Sequence, residues 1–186
     1  MLGLLFNDNS GHVLTLESVV GEMTNFINTD RKRSYKIIVG TDSLLLNNKK
    51  ADFVTALVIH RVGNGGRYFW RRVNLGSFHT LRDRILREVL ISLEVAKQLL
   101  LSLQPILVKN EINFNTAESG GVEDLKSRVF GWISSGVDFE IHIDIGENGE
   151  TRAMISEIVG MVRAHNFEPK TKPMSFGATK VADRHC

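Results

Sequence analysis

The chain of 186 residues has one cysteine, Cys186 at its last position, so no internal disulfide can form. Its three prolines, at 105, 169 and 173, mark no Pro-rich linker, and no repeat or low-complexity tract divides it. Its apolar runs are too short for the ~18 residues of a membrane span; Leu99–Leu103 is an example. The opening MLGLLFNDNSGH lacks the basic start and long apolar stretch of a secretory signal. These absences lead to the expectation of a cytoplasmic protein with no membrane partner. Neither sign of charge dominates: 23 Lys and Arg against 21 Asp and Glu leave a net of +2. That excludes a uniformly basic coat for polyanions but leaves room for a local basic face. Arg31-Lys32-Arg33, Lys49-Lys50 and Arg71-Arg72 are candidates, with ordinary solvated charge as the plain alternative.

What is present is a soluble globular balance, 42% hydrophobic and 24% charged, enough for one sizeable core. The expected organisation is a single domain over 1–186, with an N-terminal helical extension at 1–33 and an insertion at 105–136.

The extension carries a helix over Thr15–Ile27, capped by Thr15. Strands are expected over Ser34–Gly40, Asp52–Val62 and Arg67–Asn74, the last two joined by a tight turn at Gly63-Asn64-Gly65-Gly66. A long helix follows over Leu81–Ser102, opened by an approximate capping box of Thr80 and Asp83. Within the insertion, Pro105–Asn115 suits a strand and Val122–Ser134 a helix. Val137–Ile145 alternates as a strand, Thr151–His165 is an amphipathic helix, Phe167–Lys172 a short strand and Met174–His185 a closing helix. Without the extension and insertion the order is β-β-β-α-β-α-β-α. That order implies an α/β fold with a mixed sheet and helices on its faces.

Four acidic residues sit where sites form. Asp42, in GTDS, ends the first of these strands, where open α/β sheets gather ligands; a turn Asp is the alternative. Glu88 falls inside the apolar stripe Leu81, Ile85, Glu88, Ser92, Val95, Leu99. A buried carboxylate needs a partner, either a metal ion or an arginine such as Arg84 or Arg87. In EIHIDIG, alternation places Asp144 on one face with Glu140 and His142, and the isoleucines on the other. His142 there is a hydrogen-bond donor to a site or a structural histidine. Asp183 follows the small residues Ser175, Ala178, Thr179 and Ala182, which let a helix lie close to a sheet; a solvated terminal turn is the alternative.

The chain resembles the ribonuclease H-like superfamily, and within it the bacterial YkuK family. The residues carrying the resemblance are VGTDS (39–43), HRVGNGG (60–66), RILREV (84–89), HIDIGENGETR (142–152) and KPMSFGATKVADRH (172–185). It leaves 105–136 unaligned, and in the superfamily the last acidic position is variously Asp, Glu, His or Asn.

The resemblance implies that Asp42, Glu88, Asp144 and Asp183 are catalytic and bind Mg²⁺ or Mn²⁺. The expected reaction is metal-dependent hydrolysis of phosphodiester bonds in nucleic acid (RNA, DNA or hybrid) by two ions. Asp42 would bridge the ions, and substrate contacts would come from Arg152, Lys172, Lys180, Ser43 and His142. Arg152 is expected to open the helix just beyond Asp144, where the helix N-terminus adds positive partial charge. The alternative is a nucleic-acid-binding module without turnover. A third reading, an ATPase, lacks a GxxxxGK[ST] phosphate loop.

Overall fold

The computed structural model describes residues 3–46, 49–110, 137–147 and 150–185, with the backbone alone for 104–110 and 150. Its strands are β1 (Leu5–Asn7), β2 (Val13–Thr15), β3 (Tyr35–Leu45), β4 (Lys50–Arg61), β5 (Gly66–Gly76), β6 (Val137–His142) and β7 (Glu168–Lys170). Its helices are α1 (Leu16–Asn28), α2 (Leu81–Asn110), α3 (Ile155–Ala164) and α4 (Phe176–His185), with a 3-10 turn over Glu150–Met154 leading into α3. The strands form one sheet in the order β2-β1-β5-β4-β3-β6-β7. The β2-to-β3 neighbours pair antiparallel, whereas β3 with β6 and β6 with β7 pair parallel. This is the expected α/β mixed sheet, extended at one edge by the β1–β2 hairpin.

The larger core lies on the face covered by α1, α2 and α3. Ile37, Val39, Ile141 and Ile143 point into it from the sheet and meet Val19, Val89, Leu93 and Ile158. The smaller core lies under α4, where Ile38, Val54 and Ala56 meet Ala178 and Ala182. The two-residue period of β3 therefore separates odd positions, facing α2, from even positions, facing α4. Gly40 makes the second packing possible. A Cβ there would stand 2.7 Å from the Ala178 Cβ and 2.8 Å from the His142 carbonyl oxygen. The small face expected on the closing helix is what contacts the sheet: Ala178, Thr179 and Ala182 are buried.

Several boundaries need correction. The N-terminal segment contains β1 and β2 as well as the helix, and Thr15 does cap α1, its hydroxyl accepting from the Ser18 N–H. β3 runs on through Asp42 to Leu45, because β4 stays paired with it (Asp42 opposite Val54) after the parallel pairing with β6 ends at Gly40 and His142. Asp42 is thus inside a strand, two residues beyond the parallel ladder. β6 ends at His142, although Ile143 continues bridging to the Lys170 carbonyl. α2 continues past Ser102 to Asn110, so 105–110 is helical and not a strand. The rest of the strand expected to Asn115, and the helix expected over 122–134, lie outside the described residues. Gly63 and Gly65 take φ of +76° and +72°, as the expected turn requires.

Candidate active site

Four carboxylates reach two adjoining clefts beyond the parallel end of the sheet. The first, about 790 Å³, is lined by Asp42, Ser43, Arg84, Glu88 and Asp144 among others. The second, about 340 Å³, is lined by Asp42, Asp144, Lys180 and Asp183. Asp42 and Asp144 belong to both, because even positions on β3 and on the strand through β6 face α4 close to the point where the sheet opens. Glu88 comes from the α2 side and Asp183 from α4.

Ser43 ties the α2 side together. Its backbone N–H donates to Asp42 Oδ1 at 2.8 Å, and its hydroxyl donates to Glu88 Oε1 at 2.6 Å. The Arg84 Nη1 in turn donates to the Ser43 carbonyl at 3.0 Å and reaches its hydroxyl at 3.4 Å. The hydrogen-bond partner of Glu88 among the described residues is thus a serine hydroxyl, with the arginine one step behind it. Below Glu88 a chain of hydroxyls joins α2 to the sheet: Ser92 Oγ lies 2.8 Å from Thr41 Oγ1, and Thr41 Oγ1 lies 3.0 Å from Thr55 Oγ1.

Burial dominates the electrostatics. Glu88 is only 6% exposed. Loss of water pushes its pKa up to about 8, opposed by the Ser43 hydrogen bond and reinforced by Asp42. Burial also raises Asp42, against the Ser43 N–H, and the negative charges of Asp144 and Asp183 add to the rise. Both groups feel the attraction of Arg84.

The carboxylates share clefts but do not close on a point. Among the described residues no three His, Cys, Asp or Glu side chains form a group ready to hold a metal ion. Glu88 is held by Ser43, and Asp144 pairs with Lys172 Nζ at 3.0 Å. The donor chemistry nonetheless fits a hard divalent cation. The ligands are oxygens, and two of them are carboxyls whose lone negative charge is disfavoured until a cation compensates it.

The remaining sequence candidates divide. Lys180 lines the second cleft and Lys172 both, but Lys172 is occupied as the counter-ion of Asp144. Arg152 is exposed on the 3-10 turn, beside Thr151, which does line the first cleft. It does not open α3, which begins at Ile155. His142 stands apart from both clefts. It is 3% exposed, with Nε2 3.0 Å from Glu140 Oε2, and Lys36 Nζ holds the other oxygen at 2.7 Å. Burial keeps His142 below its ordinary pKa, against the pull of Glu140. Arg84 lines the first cleft, and the sequence offers it only as a possible partner for Glu88. The signal for it was the four-residue spacing, which puts 84 and 88 on one helix face.

An α/β mixed sheet with acidic residues gathered beyond its parallel strands defines a class of fold and site, and sequence comparison assigns the family. Residues 18–186 match the family described as Ribonuclease H-like, and the chain belongs to it. It is also similar to YkuK of Bacillus subtilis (strain 168), 29% identical over 183 residues, covering 97% of this chain and 95% of that protein. No solved structure matches the chain. Among the described residues no helix is long and apolar enough to cross a membrane.

Proposed function

We propose that the protein is a metal-dependent nuclease that hydrolyses phosphodiester bonds in nucleic acid. One observation carries this reading: Asp42, Glu88, Asp144 and Asp183, from four separated parts of a ribonuclease H-like chain, line the same pair of clefts. Asp42 would be shared between two Mg²⁺ or Mn²⁺ ions, with Glu88 and Asp144 each serving one and Asp183 adding to the second. Such ions, when bound, supply positive charge to the attacking and leaving oxygens of an in-line displacement.

The chain's own residues set the geometry beforehand. Ser43 orients Asp42 through its N–H and Glu88 through its O–H. Lys172 balances Asp144. The substrate strand would lie along the two clefts, with Arg152 and Lys180 on the rim supplying charge for its phosphates.

The test is incubation of the purified chain with labelled RNA, DNA and RNA–DNA hybrid in Mg²⁺ or Mn²⁺. The expected result is cleavage that EDTA abolishes. Salt-sensitive retention of strands without cleavage would replace the nuclease with a binding module.

A further inference from the structure

We propose that Arg84 is the phosphate anchor of the first cleft, taking a backbone phosphate of the bound strand with the open edge of its guanidinium. This rests on the nuclease reading above and adds to it the residue that seats the strand.

Arg84 stands in the first turns of α2, four residues before Glu88, and lines the cleft with Asp42, Glu88 and Asp144. A guanidinium offers five N–H donors in a planar fork. Among the described residues Arg84 is engaged through Nη1 alone, by the carbonyl and hydroxyl of Ser43. Nε and Nη2 have no protein partner among the described residues, and neither is a buried atom left without one. They therefore face solvent from a half-buried side chain whose Nη1 is already tethered.

The other cation lining this cleft, Lys172, is spent on Asp144 at 3.0 Å. Arg84 forms no such ion pair among the described residues, although Asp42 and Glu88 both feel its charge. A half-buried cation without a carboxylate partner, beside carboxylates that would repel a phosphate, is suited to an anion brought in from outside. The free Nε–Nη2 edge matches the spacing of two phosphate oxygens, which lysine cannot reproduce. The tether also links the tasks. A phosphate drawn to Arg84 is drawn to the residue that holds Ser43, and through Ser43 to Glu88 and Asp42.

The experiment is a binding cycle, read by fluorescence anisotropy in EDTA so that no cleavage intervenes. Wild type and Arg84→Gln are titrated with a labelled oligonucleotide and with copies carrying one neutral methylphosphonate linkage at successive positions. Arg84→Gln should weaken binding across sequences and flatten the dependence of log Kd on log salt by about 1. One linkage should weaken wild-type binding when neutralised and leave the variant unaffected. A variant displaced only in its fold would lose affinity additively with every linkage.

Arg84→Lys keeps the charge and loses the fork. It should keep the salt slope yet lose most of the coupling to that linkage, and it carries the cycle if the glutamine variant unfolds. Wild-type binding that Arg84→Gln leaves unchanged, or losses additive at every linkage, would overturn the proposal and leave the nuclease reading standing. A wild-type protein with no affinity for any strand, in EDTA or with Mn²⁺, would overturn both.

Discussion

Ser43 and Glu88, 45 residues apart, are joined by a hydrogen bond of 2.6 Å that couples β3 to α2 across the opening of the cleft. The serine is an odd-numbered residue of β3 and so faces α2, while its neighbour Asp42 faces the α4 side. One residue thereby holds two carboxylates, Asp42 through its N–H and Glu88 through its hydroxyl. Removing the hydroxyl should loosen one and spare the other. Ser43→Ala should raise the Glu88 pKa further, since the hydroxyl now favours the ionised form, and cost about 1–3 kcal/mol of stability. The Ser43 N–H remains in the variant, so Asp42 should titrate almost as before. Carboxyl-carbon NMR titration of the wild type and variant checks both. An unmoved Glu88 would remove Ser43 from its control.

Glu88 also gives the folded protein a pH dependence whose sign is set. Its folded pKa of about 8 lies above the ordinary 4.5. Between these values the folded chain keeps a proton that the unfolded chain has released, so stability falls as pH rises through the interval. Below it the effect vanishes, and above it the loss is complete. Glu88→Gln retains an acceptor for Ser43 and cannot ionise. Its stability relative to wild type should therefore grow from pH 5 to pH 8, by on the order of a few kcal/mol. Urea unfolding of both proteins in EDTA measures this. Parallel pH profiles would mean that burial does not hold Glu88 neutral.

Asp42→Asn keeps the shape of the side chain and deletes the charge proposed to be shared between ions. Cleavage should disappear while the fold persists. Because burial, Asp144 and Asp183 all disfavour the Asp42 carboxylate, the variant in EDTA at neutral pH should be no less stable than wild type and gain at low salt. Thermal unfolding and the cleavage assay together decide it. A variant that cuts at the wild-type rate removes Asp42 from the reaction.

Lys172 has two roles to separate, the substrate contact expected from the sequence and the ion pair with Asp144 found in the structure. As a substrate contact, its loss would weaken nucleic-acid binding. As the counter-ion of Asp144, its loss should free that carboxylate for a cation. The pair is substantially exposed, 57% for Lys172 and 31% for Asp144, so Lys172→Met should change stability by less than ~1 kcal/mol. Mn²⁺ affinity, followed by calorimetry, should rise. An unchanged Mn²⁺ affinity with weakened strand binding would restore the substrate role.

The features legible in the sequence were those with a local period. The alternation of EIHIDIG placed Asp144 and His142 on one face, and the stripe on α2 put Glu88 among buried Ile85, Ser92 and Val95. What escaped depended on partners distant in sequence. Asp42 appeared to end its strand because GTDS looks like a turn, whereas pairing with β4 extends β3 to Leu45. β1 and β2 have three residues each, too few to show alternation, and acquire their strand form from each other and from β5. The sequence suits a strand from Pro105, yet α2 passes it. A proline removes one N–H and crowds the preceding turn, a cost that good helix formers such as the flanking leucines can offset. The spacing of 84 and 88 put Arg84 on the Glu88 face, but its contact with Ser43 appears only once β3 lies against α2.

Asp183 is brought to the site by the packing of α4 on the sheet. α4 reaches the sheet through Gly40, where an added Cβ would lie 2.7 Å from Ala178 Cβ and 2.8 Å from the His142 carbonyl oxygen. Neither neighbour is the free end of a long side chain, so Gly40→Ala must push the helix outward or spread β3 from β6. Overpacking of this kind costs about 1–3 kcal/mol. Gly40 is two residues from Asp42, and Ala178 lies on the helix that carries Asp183, so the displacement should separate the two sides of the second cleft. Activity should fall by more than the loss of folded protein explains. Gly177→Ala is the matched control. The nearest atoms to its Cβ would be side-chain atoms of Ile38 and His142, at 3.2 and 3.3 Å, so it should cost less stability and leave most of the activity. Thermal midpoints and specific activity per folded molecule, measured for both variants, test the difference. Equal losses in the two would mean that the position of α4 matters to stability and not to the site.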